Sequence, residues 1–342
     1  MSERMVSKVD CELSVVIKAL NEERNIERTL KSVLAAVDGL DAEVILADSL
    51  SNDATVKIAK QFPVVIVQLV NGHERCCGIG AQLGYQYSRG RFILVMDGDM
   101  ELERPWLLAA LDRMKASSSL GGVGGIVDDV NLDNIEFRAR QQRSPKDMLA
   151  GPVDRLNMGG LYRRSAIQQI GYLTHRSLHA CEELELGLRL CQAGWGLERL
   201  DLVSIHHYGH TVPMWTLIKR RWHSNYVNGA GELLRTSLGQ PWFWHTLNCV
   251  RLPIVVVGWW VTMLVLVVCA TVAGTFWLVG LGFVALLPPI LLIAKKRSIS
   301  MGLYSVMAWC IDTAGLLRGL LRNLRDPTAT IEARILRNAP EW

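Results

Sequence analysis

The sequence has no cysteine pair at CxxC spacing. Its eight cysteines, adjacent Cys76 and Cys77 included, form neither a zinc framework nor a disulfide ladder and read as reduced thiols. Net charge is scarce as well. A formal +4 over 342 residues is too small a surplus for a nucleic-acid surface, so no nucleic acid is expected as a partner. The opening MSERMVSKVDCE has no apolar core, so no cleaved signal peptide is expected and the first domain is expected on the cytoplasmic side. No glycine fingerprint follows the first strand. GIGAQLG, with Gly78, Gly80 and Gly84, comes only after the third, which argues for a helix packed closely on a sheet and against a nicotinamide dehydrogenase. Charge is missing altogether from Leu252 to Ala294, 43 residues in a row. That is near twice the ~20 residues one membrane-spanning helix needs.

Strand and helix alternate through the first half. Leu13 to Leu20 reads as a strand, with Asn21 as N-cap of a helix running to Val37. Glu43 to Leu50 is a second strand, followed by a helix from about Ala54 to Phe62; Pro63 to Val70 is a third, followed by a helix from Ile79 to Ser88. The fourth strand is RFILVMDGD, Arg91 to Asp99, and Pro105 opens the next helix. GGVGGIVDDV suits a strand, the polar stretch through Lys146 a surface excursion, and LDLVSIHHYG a closing strand. This order predicts an α/β fold with a mostly parallel sheet covered on both faces.

The fourth strand carries the sharpest signal. Phe92 to Met96 is an unbroken apolar run, as a strand buried on both faces requires, and it stops on Asp97 and Asp99. Two hard oxygen donors beyond a strand end suit Mg²⁺ or Mn²⁺ bridging to nucleotide phosphates; an acidic turn without metal has the same sequence. Asp48 ends the second strand on the same sheet edge, as a base or ribose acceptor or as a turn cap. Glu182, Glu183 and Glu185 open a helix, where the dipole favours acids in any case, but a glycine-rich loop and two arginines precede them. His206 and His207 close the last strand, either as a metal ligand or as structural residues.

Taken in order, SVVIKALNEERNI, EVILADSLSNDAT, DGD, GGLYRRSAIQQIGYL and CEELELGLRL resemble the family 2 glycosyltransferases of GT-A fold, over roughly Leu13 to Gly209. The resemblance implies a nucleotide-sugar donor, uridine donors being commonest in the family, a divalent metal on the diphosphate, and inversion at the anomeric carbon. It implies donor contacts at Ala19, Asn21, Glu22, Asp48, Asp53, Asp97 and Gly98, with Arg75 at the diphosphate and Gly159 and Gly160 beside the sugar. Asp97 and Asp99 fall on the metal-binding positions, and His206 matches the closing-strand histidine best, with His207 close behind. Where the family has Glu-Asp this chain has Glu182 and Glu183, which places the general base at Glu183 and leaves Glu182 as the alternative. Arg221 and Trp222 match an RW pair over the donor, although the Gln expected before it is Ile218.

The resulting organisation is a glycosyltransferase domain over 1–212, interfacial amphipathic helices over 213–250, two transmembrane helices over 251–297, and an amphipathic or third membrane helix with a C-terminal tail over 298–342. Arg251 on one side and Lys295, Lys296 and Arg297 on the other put both hairpin ends in the cytoplasm of an inner membrane. Trp259, Trp260 and Trp277 are candidate interface aromatics. Asp312 and Arg318 favour an amphipathic surface helix over a third span for Ser300 to Leu321. WTLIKRRW lies along the headgroups in the same manner, which suits membrane lipids as partners and a lipid-linked or glycan acceptor. A polyprenyl-phosphate glycosyltransferase and a non-catalytic sugar-nucleotide-binding scaffold are the alternatives.

Overall fold

A computed structural model describes residues 9–130, 149–157, 159–209 and 214–338. Most of the polar stretch before Lys146 therefore lies outside the described residues. The chain divides into two units, one made of the residues up to Ser224 together with those from Arg325, the other of Asn225–Leu324.

In the first unit β1 (Cys11–Ala19), β2 (Ala42–Asp48), β3 (Val65–Leu69) and β4 (Gly90–Asp97) pair in parallel in the order β3-β2-β1-β4. The helices between them are α1 (Ile26–Val37), α2 (Thr55–Ala59) and α3 (Cys77–Tyr87). This is the alternation the sequence predicts. Beyond β4 the sheet mixes directions. β5 (Met100–Leu102) and α4 (Arg104–Ala116) come next, then β6 (Leu120–Asp129), β7 (Gly151–Val153), β8 (Gly160–Arg163), α5 (Arg164–Ile170), α6 (Glu182–Gln192), β9 (Gly196–His207) and α7 (Met214–His223). β8 runs antiparallel to both β4 and β6, β9 runs parallel to β6, and β5 and β7 pair antiparallel with β9. The short β5 and β7 have too few residues to show a period in the sequence.

Both faces of the parallel part are covered. Ile26, Leu30 and Val33 share one side of α1 and are fully buried against Val15 and Ile17 of β1, together with Trp106 and Leu107 of α4. On the other face α3 approaches so closely that a Cβ on Gly84 would lie 2.1 Å from Val16 Cγ1. That is the close packing expected of GIGAQLG. α1 starts later than expected: Asn21 is left-handed, with φ 60°, and Ile26 is the first helical residue. The intervening residues form a turn in which the amides of Asn25 and Ile26 bond the Glu22 carbonyl.

The tail after the apolar helices holds an unexpected strand. β10 (Ala333–Arg337) adds antiparallel to the free edge of β3. Ile331 is buried with Ile45, Val67 and Ile79, and its amide and carbonyl bond both ends of the Gln86 side chain at 2.8 and 3.0 Å. Ile331→Ala should therefore cost about 2–4 kcal/mol, measured as a lowered Tm of the detergent-solubilised protein.

In the second unit α8 (Gly229–Thr236) and α9 (Phe243–Cys249) lead to α10 (Arg251–Ala273), α11 (Trp277–Lys296) and α12 (Ile299–Leu320). Among the described residues these last three helices are long and apolar enough to cross a membrane. α10 and α11 are tied by a side chain the sequence placed at an interface. Pro288 has no N–H for the Val284 carbonyl one turn earlier, and the indole N–H of Trp259 takes that oxygen at 2.8 Å. α12 packs on α8 backbone to backbone: a Cβ on Gly231 would sit 2.0 Å from the Leu316 carbonyl oxygen. Glu232 is buried there, 3.5 Å from Arg322.

Candidate active site

The site gathers at the carboxyl edge of the parallel strands, where ligands of open α/β sheets sit. Register puts the acids there. Ala19, the last residue of β1, pairs with Asp48 of β2, and Lys18 pairs with Asp97 of β4, so the two aspartates flank the end of one strand. Asp48 Oδ2 accepts from the Ser51 amide at 3.0 Å and from Gln68 Nε2 at 2.8 Å, while its Oδ1 is buried with no protein partner. A buried acceptor left open at a strand end asks for a donor from a ligand.

The DGD turn is held from below. The Gly98 amide donates to the Lys18 carbonyl at 2.9 Å, and its carbonyl accepts from Thr29 Oγ1 at 2.9 Å. Asp99 Oδ1 is likewise buried and unpartnered, a second orphan in the same place. The histidine that reaches it is His207, whose Nε2 lies 3.5 Å from Asp99 Oδ2 and whose Nδ1 lies 2.7 Å from Asp129 Oδ1. Of the two histidines the fold brings His207, not His206, to Asp99. Adjacent strand residues point to opposite faces, and His206 is turned to Asp128 and Glu103 at 2.9 and 3.1 Å.

Lys18 is a residue the sequence reading passed over. Its ammonium lies 2.9 Å from Asp97 Oδ1 and 3.1 Å from Glu182 Oε1, joining the strand end to α6. Burial opposes its charge, but Asp97 and Glu182 outweigh burial and hold its pKa well above the ordinary lysine range. The available signal was a single cation inside the apolar strand LSVVIKAL.

Glu183 shares a cavity with Lys18, Asp97, Gly159, Gly160 and Tyr162. Burial, and then the neighbouring Glu182, push its carboxyl up to about 8, close to the working range of a general base. Glu185 is structural: its two oxygens bind the Arg189 guanidinium at 2.7 and 2.8 Å. Gly159 needs to be glycine, since its φ is +79° and a Cβ would lie 2.6 Å from Ile205 Cγ1. Gly160 lies against the Tyr162 ring in the same way.

The remaining sequence candidates divide. Glu22 lies beside the DGD turn, and burial together with Asp99 raises its carboxyl to about 7. Ala19 lines the same turn, its methyl 3.4 Å from where a Gly98 Cβ would be. Asn21 and Asp53 are staples of the loops. Asn21 Oδ1 accepts the Asn52 amide at 2.8 Å, and the two oxygens of Asp53 accept the amides of Thr55 and Glu23 at 2.9 and 3.1 Å. Arg75 donates to the Leu50 carbonyl at 2.6 Å, next to the Asp48 loop. Arg221 and Trp222 lie on α7, whose Arg220 acts electrostatically on Glu22.

Residues 14–171 match the family model described as Glycosyl transferase family 2. This stretch resembles a family 2 glycosyltransferase domain. Over 134 residues the chain is 31% identical to the succinoglycan biosynthesis protein ExoO of Rhizobium meliloti (strain 1021), covering 37% of this chain and 36% of that protein. Over 118 residues it is 29% identical to the 4,4'-diaponeurosporenoate glycosyltransferase of Staphylococcus haemolyticus, covering 33% and 31%. The chain thus spans about a third of the length of these curated relatives. In fold, the family 2 domain and its C-terminal helices resemble a mannosyltransferase from Pyrobaculum calidifontis solved with GDP-Man and Mn²⁺. That match has a TM-score of 0.58 at 14% identity, over 92% of this chain and 90% of the other. The family 2 domain also resembles S. aureus TarS 1–349 in complex with UDP-GlcNAc, with a TM-score of 0.50 at 15% identity over 67% and 73%. Its sheet and helices have the GT-A fold.

Proposed function

We propose that the protein is an inverting, metal-dependent glycosyltransferase of cell-envelope glycan synthesis. It moves a sugar from a nucleotide donor to a hydroxyl of a lipid-linked or glycan acceptor. The observation that carries this reading is the convergence of Asp48, Asp97, Asp99 and Glu183 on one edge of the sheet, with two orphaned carboxylate oxygens among them.

Asp97 and Asp99 would hold Mg²⁺ or Mn²⁺. The donor set fits a hard cation: the buried Asp99 Oδ1 lacks a protein partner, and His207 stands beside it. Among the described residues no group of three His, Cys, Asp or Glu side chains is arranged to hold a metal ion, so Asp97 and Asp99 would hold it only together with a bound donor. When bound, the metal supplies positive charge for the departing diphosphate.

The chain's own groups do the rest. Lys18 fixes Asp97 and Glu182 in one arrangement and adds a positive charge at the strand end. Glu183, carried on the first turn of α6, takes the proton from the acceptor hydroxyl as its oxygen attacks the anomeric carbon. Attack from the face opposite the leaving diphosphate inverts that carbon. The collar of Gly159 and Gly160 lets backbone approach the sugar without side chains in the way.

Asp48 selects the base. Its open Oδ1 suits a ring N–H, which uracil and guanine carry; cytosine and adenine present a ring nitrogen acceptor at the equivalent position and would be repelled. The structural neighbours solved with UDP-GlcNAc and GDP-Man support that choice. Asp48→Asn should weaken binding of UDP or GDP by about tenfold, the value of one charge-assisted hydrogen bond, as read by titration calorimetry. Equal weakening of ADP and CDP would contradict the assignment.

Arg251 and the Lys295–Arg297 cluster flank the chargeless run from Leu252 to Ala294, which supports an inner-membrane hairpin with its ends, and the catalytic domain, in the cytoplasm. Assaying detergent-solubilised protein for transfer to extracted membrane lipid tests the acceptor class; stimulation only by soluble glycan would contradict a lipid-linked acceptor.

A further inference from the structure

The chain leaves the sheet domain after Ser224 and is part of it again from Arg325. The return is firmly held. β10 pairs with β3, the Arg176 guanidinium donates to the carbonyls of Ala329 and Thr330, and the Arg325 amide donates to Ser177 Oγ at 2.9 Å. A folded domain lies on one side of a bilayer, so whatever joins its two parts must cross an even number of times. Three helices in that stretch are long and apolar enough to cross. At least one of them stays on the near side.

Contacts inside the second unit identify it. Gly302, in the first turn of α12, packs on the last turn of α11: a Cβ there would lie 2.4 Å from Ile293 Cγ1. Thr313 is roughly 16 Å further along α12 at 1.5 Å per residue, yet its Oγ1 lies 3.5 Å from the carbonyl oxygen of Pro253, in the first turn of α10. The first turn of α10 and the last turn of α11 are the same end of the hairpin. A third span running back along α11 would instead bring Thr313 to the middle of the hairpin, about 16 Å from that end. α12 is also the least apolar of the three helices, and it is the one of them that contains an acidic residue, Asp312.

We infer that α10 and α11 cross the membrane and that α12 lies in its plane, across the basic cytoplasmic end of the hairpin, with Ile299, Leu303 and Leu317 facing lipid. Those three side chains are exposed and share one stripe of the helix, as an interfacial helix requires. The arrangement tethers the catalytic domain at both of its junctions with the second unit. The inference rests on the reading that the hairpin is in a bilayer.

The test uses the full chain in sealed right-side-out vesicles, with Thr275→Cys, Ser298→Cys and Leu321→Cys variants and a membrane-impermeant maleimide. Labelling of the unsubstituted protein sets the background from its own cysteines. The expected result is labelling of Thr275→Cys from outside, and of Ser298→Cys and Leu321→Cys only after permeabilisation. Outside labelling of either Ser298→Cys or Leu321→Cys, with the protein still retained by the membrane after carbonate washing, would overturn the in-plane helix. Release of the protein by carbonate, with Thr275→Cys silent from outside, would instead overturn the membrane reading and the inference with it. As a second measurement, nitroxides at Leu303→Cys and Leu317→Cys should report the same immersion depth; depths differing by about 20 Å, the length of helix between them, would show a span.

Discussion

Glu183→Gln should lower the transfer rate by about 10²–10⁴-fold and leave donor binding intact, because it removes the group that takes the acceptor proton and nothing that touches the nucleotide. The wild-type rate should depend on pH in a way set by the same residue. A base must be unprotonated to act, and burial together with Glu182 raises Glu183 to about 8, so the rate should climb with pH and level off above about 8. Two substitutions should move that limb in opposite directions. Glu182→Gln removes the neighbouring negative charge and shifts it to lower pH; Lys18→Met removes the opposing positive charge and shifts it to higher pH. A residue that merely held the helix would change the rate without moving the limb. If Glu183→Gln keeps the full rate, the acceptor needs no base, which is what a phosphate acceptor would show, and the polyprenyl-phosphate alternative becomes the better reading.

Asp99→Asn should reduce turnover on the order of a hundredfold to a thousandfold, the several kcal/mol of charge stabilisation a bound metal contributes at a leaving group. It should do so by abolishing metal-dependent donor binding. Titration calorimetry with UDP or GDP would show wild-type heat only with Mn²⁺ or Mg²⁺, and none above the metal-free level in the variant. The fold should survive the change, since among the described residues Asp99 Oδ1 has no partner to lose and its Oδ2 lies 3.5 Å from His207. Unchanged metal-dependent binding in Asp99→Asn would remove the metal from this site.

The parallel half of the fold was legible in the sequence because its signals are local. An apolar strand ending on DGD, a second ending on Asp48, and helices between them force the two aspartates onto one sheet edge, and the register bears this out. What the sequence hid depends on pairing between distant residues. His206 and His207 are indistinguishable by motif; only the register of β9, which sets His207 opposite Met100, decides which imidazole turns toward Asp99. Lys18 was invisible as a site residue because its partners, Asp97 and Glu182, come from two remote elements. β10 reads as part of the tail, since ARILR has no clean alternation and its register shifts between Ile335 and Arg337, so it needs β3 to define it. Asp53 fits the family motif by its place in SLSND; what the motif does not show is that its oxygens accept the amides of Thr55 and Glu23.

The most direct measurement is consumption of a panel of nucleotide sugars by detergent-solubilised wild-type protein, with Mn²⁺, with Mg²⁺ and with EDTA, in the presence of total membrane lipid. One uridine or guanosine donor should be consumed, only with the divalent metal, and its sugar should appear on an acceptor with the anomeric configuration inverted. Failure of every donor to bind or react under all three conditions would contradict this expectation and leave a sugar-nucleotide fold without transfer chemistry.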